Sequence, residues 1–169
     1  MEKDSFVNES NSDDSNDKIS DLMTSLQSLH IFKNLEKEEI LEILKISQIK
    51  KYEEHQTIFN EGDEGENTLF VIIEGRVEII SESLKTKSKI SLFAAGKGLT
   101  FGEMSFLDAQ PRSATIRTIE KTEVFVINRK YFDLLMEQKP KVSAKFLMGL
   151  ADILSRRLRA TDQRLKYSI

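Results

Sequence analysis

The chain has 169 residues and a net charge of −3, with 31% charged and 39% hydrophobic residues, a composition typical of one soluble globular domain with a short tail. It contains no cysteine and only two histidines. These counts exclude disulfides, thiol chemistry and cysteine-ligated metals, and they argue against a histidine-rich metal or catalytic site. The polar start lacks a signal-peptide pattern, and no apolar run approaches the ~20 residues of a membrane span. We expect a cytoplasmic protein without membrane attachment.

Residues 1–21 differ in composition from the rest of the chain. They carry seven acidic and two basic residues among many serines and asparagines. Such a segment has too little apolar surface to offset the entropy of ordering. We predict a disordered acidic tail over 1–21, with a docking or phosphorylation segment as the alternative.

The remaining chain divides into helical and β-rich stretches. Apolar residues recur at helical spacing from residue 21 to about 50, with Asn34 as a candidate cap for the second helix. From about residue 49 to residue 128, short β-rich runs alternate with turn residues and enclose no long helix. This pattern predicts an antiparallel sandwich or barrel and argues against a doubly wound parallel sheet.

Two helices are predicted after the strands. Asn128 is a candidate N-cap for the first, and Pro140 fits the first turn of the second. The second helix, over 141–166, has a seam with 4-3-4-3-4 spacing, typical of a coiled coil. Its members are Leu147, Ala151, Leu154, Leu158, Thr161 and Leu165. Because the later turns reach beyond a single domain, we expect a parallel homodimer along this helix.

The segment 101–118, FGEMSFLDAQPRSATIRT, is the most informative for function. Gly102 permits close approach of a ligand or of backbone, and a short helix with free N–H groups follows it. Arg112 and Ser113 can bind a phosphate, whereas the Glu103 carboxylate suits a sugar hydroxyl. Together they form a candidate cradle for a phosphorylated sugar. The alternative is a charged turn in which Glu103 and Arg112 form a surface ion pair worth about 0–1 kcal/mol.

These residues resemble the phosphate-binding cassette of cyclic nucleotide-binding domains. The family pattern has an apolar residue, Gly-Glu, a small residue and then Arg-Ser-Ala before a strand. The matching residues are Phe101, Gly102, Glu103, Ser105, Arg112, Ser113 and Ala114. A second family feature, Gly-Asp-x-Gly before an apolar strand and a glycine, begins at Gly62 and ends at Gly75. It is one residue longer than usual, and we assign the extra residue to Thr68.

The resemblance implies a fold for residues 22–166. That fold is mainly β with flanking helices. It consists of an antiparallel double-stranded β-helix (jelly roll), an N-terminal helical segment and two C-terminal helices, the second being the dimer helix 141–166.

The resemblance also implies roles for individual residues. Arg112 pairs with the cyclic phosphate, Ser113 adds its hydroxyl, and Glu103 accepts the ribose 2′-OH. Backbone N–H groups near Gly102 and Ser105 complete the anion site. The last helix is similar to the dimer helix of cyclic AMP receptor proteins. That similarity directs Arg157 to the pocket and Thr161 to the adenine amino group, partly across the dimer.

The expected function is therefore a free-standing cyclic nucleotide sensor. It binds cyclic AMP, or cyclic GMP, and signals through a dimer change or an unknown protein effector. We expect no catalytic residues, no metal and no cofactor beyond that ligand, since phosphodiester hydrolysis takes a metal cluster or a positioned base. The chain ends at Ile169, so we expect no specific DNA binding. The alternative function is a jelly-roll interaction module with a vestigial pocket.

Overall fold

The computed structural model describes residue 20, residues 22–83, residue 86 and residues 88–167. The predicted tail 1–21 lies outside this part of the chain apart from Ser20, which is helical and exposed. Residues 22–27 are also helical. They lead into the 3-10 turn His30–Phe32, followed by α1 (Lys37–Lys45), β1 (Ser47–Tyr52), β2 (Thr57–Phe59), β3 (Thr68–Glu74), β4 (Val77–Glu82), β5 (Lys89–Ala95), β6 (Thr100–Phe101), α2 (Glu103–Asp108), β7 (Thr115–Thr118), β8 (Thr122–Asn128), α3 (Arg129–Gln138) and α4 (Pro140–Tyr167).

The strands form two four-stranded sheets, with the orders β1-β8-β3-β6 and β2-β7-β4-β5. All pairings between these strands are antiparallel. The fold is thus mainly antiparallel β with flanking helices and has no closed barrel, which confirms the predicted fold class.

The strand β3 is buried on both faces because it separates two apolar clusters. Phe70 and Ile72 point into the cluster shared by the two sheets. Leu69 and Val71 point into the cluster that the first sheet shares with the helices. This placement explains why the sequence shows a continuous apolar run there instead of the alternation of a half-exposed strand.

One local prediction is corrected by the structure. The helix α1 is capped by Glu36, which forms a capping box with Glu39, and not by Asn34. Thr68, to which we assigned the extra residue, is 4% exposed and pairs with Asn128 at the start of β3; that assignment stays a prediction. The register between β3 and β8 shifts at Ile73, as at a β-bulge.

The helix α4 packs on the domain through its first half. Its buried residues, among them Phe146 and Gly149, all precede residue 151. A Cβ on Gly149 would lie 2.3 Å from the backbone oxygen of Ile31, so helix and 3-10 turn are in direct backbone contact. Beyond residue 157 the helix is exposed, and Leu158 and Leu165 retain 64% and 58% of their accessible surface.

Candidate functional site

A cavity of about 210 Å³ opens where α2, the second sheet and α4 meet. Its lining comes from strands of both sheets, from α2 and α4 and from the loop before β7, so distant parts of the chain contribute to it. The lining residues are Phe59, Ile79, Phe93, Leu99, Thr100, Phe101, Gly102, Glu103, Met104, Ser105, Arg112, Ser113, Ala114, Ile116 and Arg157.

Gly102 caps α2 at the floor of this cavity with a left-handed backbone, at φ 73° and ψ 7°. A Cβ at this position would lie 2.6 Å from the Thr68 carbonyl oxygen and 2.7 Å from Arg112 Nη1. Glycine is required here on two grounds, because other residues are strained at positive φ and because there is no room for a side chain.

Arg112 is held by backbone carbonyls. Its Nη1 donates to the oxygens of Thr68 at 3.0 Å and Gly102 at 3.2 Å, and its Nη2 donates to that of Glu66 at 2.9 Å. The guanidinium also lies 4.3 Å from the centre of the Phe59 ring. A guanidinium has five N–H donors, so two remain for an anion in the cavity. These contacts fix the group before any ligand arrives.

The environment of Arg112 favours an anionic ligand. The residue is 8% exposed. Burial lowers the pKa of its guanidinium, while the charges of Asp63 and Glu103 act in the opposite direction. A buried cation with unused donors is stabilised by a negative partner. The alternative surface pair between Glu103 and Arg112 is not what the structure shows.

The two sequence motifs meet at Arg112. Its backbone N–H donates to the Asp63 carbonyl at 3.0 Å, and its carbonyl accepts from the Gly62 N–H at 2.8 Å. The loop before β3 and the cassette therefore form one backbone frame around the guanidinium.

Glu103 pairs with Arg157 of α4. Arg157 Nη1 donates to Glu103 Oε1 at 2.9 Å, and Arg157 Nη2 donates to the Thr100 carbonyl. The side chain of Glu103 is 13% exposed and that of Arg157 is 35% exposed. This pair ties the long helix to the first turn of α2.

The three hydroxyl residues predicted for the site occupy different positions. Ser105 is buried and lines the cavity, and Ser113 lines it from an exposed position. Thr161 is exposed, donates to the Arg157 carbonyl of its own helix at 3.0 Å, and does not line the cavity of its own chain. Six of the seven predicted residues are thus brought together, and a contact of Thr161 with a ligand stays a prediction.

Several lining residues were not singled out from the sequence. The ring of Phe59 lies against Arg112, and Phe93 and Leu99 line the cavity with apolar side chains. Phe59 and Phe93 belong to β-rich runs, a signal that does not separate pocket from core, and Leu99 lies between such a run and the cassette without a signal of its own. Thr100 was also missed; its buried hydroxyl has no hydrogen-bond partner among the described residues.

Within the described part of the chain, no group of three or more histidine, aspartate or glutamate side chains is placed to hold a metal ion. None of the described helices meets the length and hydropathy needed to cross a membrane.

The family model of the cyclic nucleotide-binding domain matches residues 49–139, which is more than half of the chain. The chain belongs to the cyclic nucleotide-binding domain family. The matched range includes the Gly62 loop, the cassette and Arg112, and all of the lining residues except Arg157 of α4.

The chain is similar in sequence to two curated proteins and in structure to a solved domain. A cyclic AMP receptor protein from Thermus thermophilus is 33% identical over 135 residues, which is 80% of this chain and 60% of that protein. The lysophospholipase NTE1 of Chaetomium globosum is 29% identical over 62% of this chain, but this is 6% of the enzyme. A cyclic nucleotide-binding domain from Methylobacillus flagellatus superposes with a TM-score of 0.79 at 24% identity, covering 92% of this chain and 86% of that one. The chain thus spans about three fifths of the receptor protein.

Proposed function

We propose that this chain is a regulatory module that binds cyclic AMP or cyclic GMP in the cavity around Arg112. The observation that carries the proposal is the buried guanidinium, fixed by three backbone carbonyls with two donors left over. A fork of two N–H groups matches two oxygens of a phosphate. The relative named as a cyclic AMP receptor protein supports the choice of ligand.

The other lining groups fit the rest of such a ligand. Ser113 adds a hydroxyl to the phosphate end, and Glu103 accepts a hydrogen bond from the ribose 2′-OH. Arg157 of α4, which already donates a hydrogen bond to Glu103, lies beside the sugar end of such a ligand. Among the described residues that line the cavity, Glu103 is the one carboxylate, and it is engaged by Arg157. We therefore propose binding without turnover of the nucleotide.

We further propose that the signal passes through a homodimer of α4 to a protein effector. Leu158 and Leu165 lie one heptad apart and are mostly exposed, which is the arrangement of a coiled-coil seam. In a parallel pair, Thr161 of the partner helix would come near the pocket mouth. Sedimentation at micromolar concentration tests this pairing. A monomer of 19.4 kDa with and without nucleotide would contradict it, and Leu158→Glu should dissociate a dimer.

The decisive experiment is a calorimetric titration with cyclic AMP, cyclic GMP and linear AMP. We expect a cyclic nucleotide to bind and Arg112→Ala to weaken it by about 30- to 4,000-fold, the 2–5 kcal/mol that breaking a buried charge pair costs. Arg117, an exposed arginine on β7 that pairs with Glu78 outside the cavity, is the matched control.

Because Arg112 also holds three backbone carbonyls, the alanine variant will lose stability as well as affinity. Arg112→Lys keeps the charge but loses the fork, and urea unfolding of both variants separates the loss of stability from the loss of affinity. Absence of binding by the wild type would instead support an interaction module with a vestigial pocket. Unchanged affinity in both Arg112 variants would refute the cradle.

A further inference from the structure

The exposed half of α4 carries positive charge as well as the seam leucines. Residues 153–167 include five basic residues and one acidic residue. Arg159 and Lys166 are exposed, lie outside the cavity and form no ion pair among the described residues. They are seven positions apart, as Leu158 and Leu165 are, so the two pairs form neighbouring stripes along the helix. A positive stripe therefore lies beside an apolar one.

Residues 1–19 precede the first described residue and have the opposite charge. They carry six acidic and two basic residues. The acidic residues are Glu2, Asp4, Glu9, Asp13, Asp14 and Asp17. Two neighbouring apolar residues, Phe6 and Val7, stand among them in the sequence. An acidic segment with an apolar pair is complementary to the exposed half of α4 both in charge and in hydrophobicity.

The segment is long enough to reach this surface. His30 contacts Asp152 of α4, and Ser20 lies ten positions before His30 in a partly helical stretch. These connections keep Ser20 within about 45 Å of Leu158. An extended chain over the 14 positions from Ser20 back to Phe6 spans about 46–50 Å. Phe6 is thus within reach of Leu158.

We infer that the acidic segment 1–19 binds the exposed half of α4 in its own chain. Its carboxylates pair with the positive stripe, and Phe6 and Val7 cover the seam leucines. Because the segment is joined to the domain, its effective concentration at α4 is in the millimolar range. A contact with a dissociation constant of about 1 mM is therefore occupied about half of the time, although it is too weak to hold two separate molecules together at micromolar concentration.

This contact covers the same seam that a second copy of the chain uses in the proposed homodimer. The segment and the second copy therefore compete for α4, and the segment acts as a built-in inhibitor of pairing. The competition rests on the proposed function, whereas the contact within one chain does not.

The contact is tested by paramagnetic broadening of NMR signals in the full chain. The chain has no cysteine, so Ser5→Cys carries a nitroxide label at a single place. We expect the backbone amide signals of residues 158–167 to broaden, and those of β1 and α3 to keep their width. Raising the salt from about 0.1 M to about 1 M shortens the screening length from about 10 Å to about 3 Å, so most of the broadening should be lost.

A pair of charge variants on the helix has a matched control. Arg159→Gln with Lys166→Gln removes two positive charges from the stripe and should lose most of the broadening. Lys50→Gln with Lys130→Gln removes the same charge from two exposed lysines of β1 and α3 and should keep it. Equal broadening of α4 and β1, or an equal loss in both pairs of variants, would show that the segment does not bind α4.

A mixed sample shows which chain provides the segment. With the nitroxide on one chain and the isotope on another, we expect no broadening of residues 158–167. Broadening of the same size as in the singly labelled chain would assign the contact to a second copy and overturn the inference.

Sedimentation tests the competition. Replacing Asp13, Asp14 and Asp17 by asparagine should lower the dissociation constant of the dimer by about fourfold, because each of the two chains is freed from a contact occupied half of the time. An unchanged constant overturns the competition. If wild type and variant are both monomers, the proposed pairing is wrong, and the broadening of residues 158–167 still decides whether the segment binds α4.

Discussion

A single added methyl group at Gly102 tests whether the cradle is as tight as its geometry indicates. In Gly102→Ala the new Cβ meets the Thr68 carbonyl oxygen at 2.6 Å and Arg112 Nη1 at 2.7 Å. The first atom belongs to the backbone, and the second is held by its own hydrogen bonds to carbonyl oxygens. Neither can move aside without breaking a bond that builds the site.

Alanine substitutions at two other glycines separate the cost of backbone strain from the cost of steric overlap. Gly62 has φ +83°, and a Cβ added there would have no atom within 4 Å, so Gly62→Ala reports backbone strain alone. Gly65 also has open space and lies outside the left-handed region. Gly65→Ala should therefore be neutral or stabilise by about 0.4–1 kcal/mol, through the entropy of the unfolded chain.

We expect Gly62→Ala to lower the free energy of unfolding by about 1–2 kcal/mol. Gly102→Ala should lower it by about 2–5 kcal/mol, since overpacking adds about 1–3 kcal/mol to the same strain. Its nucleotide affinity should fall between those of the wild type and Arg112→Ala, because the guanidinium is displaced but not removed. Urea unfolding and calorimetry measure the two effects. A Gly102→Ala protein that is no less stable than Gly62→Ala, or that keeps full affinity, would refute the close contact.

Three further predictions follow from the site and its surroundings. Wild type should bind 2′-deoxy cyclic AMP about 1.5–3 kcal/mol more weakly than cyclic AMP, and the two ligands should become nearly equivalent in Glu103→Gln, whose neutral amide makes a weaker hydrogen bond; discrimination as strong as that of the wild type would assign the sugar to another residue. Thr100→Val should raise the free energy of unfolding by about 1–3 kcal/mol, because it removes a buried hydroxyl that lacks a partner among the described residues; a loss would show that the hydroxyl is satisfied. The pKa of Asp152 is lowered below the usual 3.8, first by the hydrogen bond from Lys33 and then by that from His30, so its stabilising effect is present above pH 3.8 and is lost on acidification. Asp152→Asn should therefore have a lower free energy of unfolding than wild type at pH 7, and this difference should become smaller as the pH falls below 3.8. A difference that does not change with pH would contradict this.

The fold class was predictable from the sequence because most strands carry a β-rich pattern, although β1 begins at Ser47, within the stretch predicted to be helical. The apolar run at Leu69–Ile73 indicated a strand, and the frequent turn residues indicated antiparallel pairing. Helix ends were predictable where one side chain decides them. Asn128 does accept a hydrogen bond from the Lys130 N–H, as expected. The cap of α1 was missed because Glu36 acts only together with Glu39, and such a pair is visible only once the helix start is known.

Register was not predictable, since it depends on contacts between strands. Thr68, to which the extra residue before Gly75 was assigned, is fixed by its pairing in the ladder and by its carbonyl bond to Arg112. The register of β3 with β8 shifts at Ile73, and no feature of the sequence indicated that position. The place of Phe93 in the cavity lining has a similar origin, because β5 has an extra residue, Leu92, between the residues that pair with Ile79 and Ile80.

The site was predictable from residue spacing where it is local, whereas the place of Arg157 of α4 in the cavity was predictable only through the family resemblance. Gly102, Glu103 and Arg112 lie in one segment, and their spacing identifies them. The bond between Arg157 and Glu103 joins residues 54 positions apart, and only the docking of α4 determines it. Periodicity predicted the helix and its seam, but it could not distinguish Arg157, which reaches the cavity, from Arg156 and Arg159 beside it.

The position of Arg157 connects the cavity to the exposed end of α4. Before this residue the helix is fixed to the domain by Gly149 against Ile31 and by Asp152 with Lys33. Immediately after it comes Leu158, the first of the exposed seam leucines. On the proposed function, a nucleotide that takes up Glu103 must either share this carboxylate with Arg157 or release the arginine. In both cases the ligand changes a contact at the point where α4 leaves the domain. It can shift the orientation of the exposed half only by the difference in its affinity for the two arrangements. The Glu103–Arg157 pair is thus where binding energy can be converted into a change that a second copy or another protein detects.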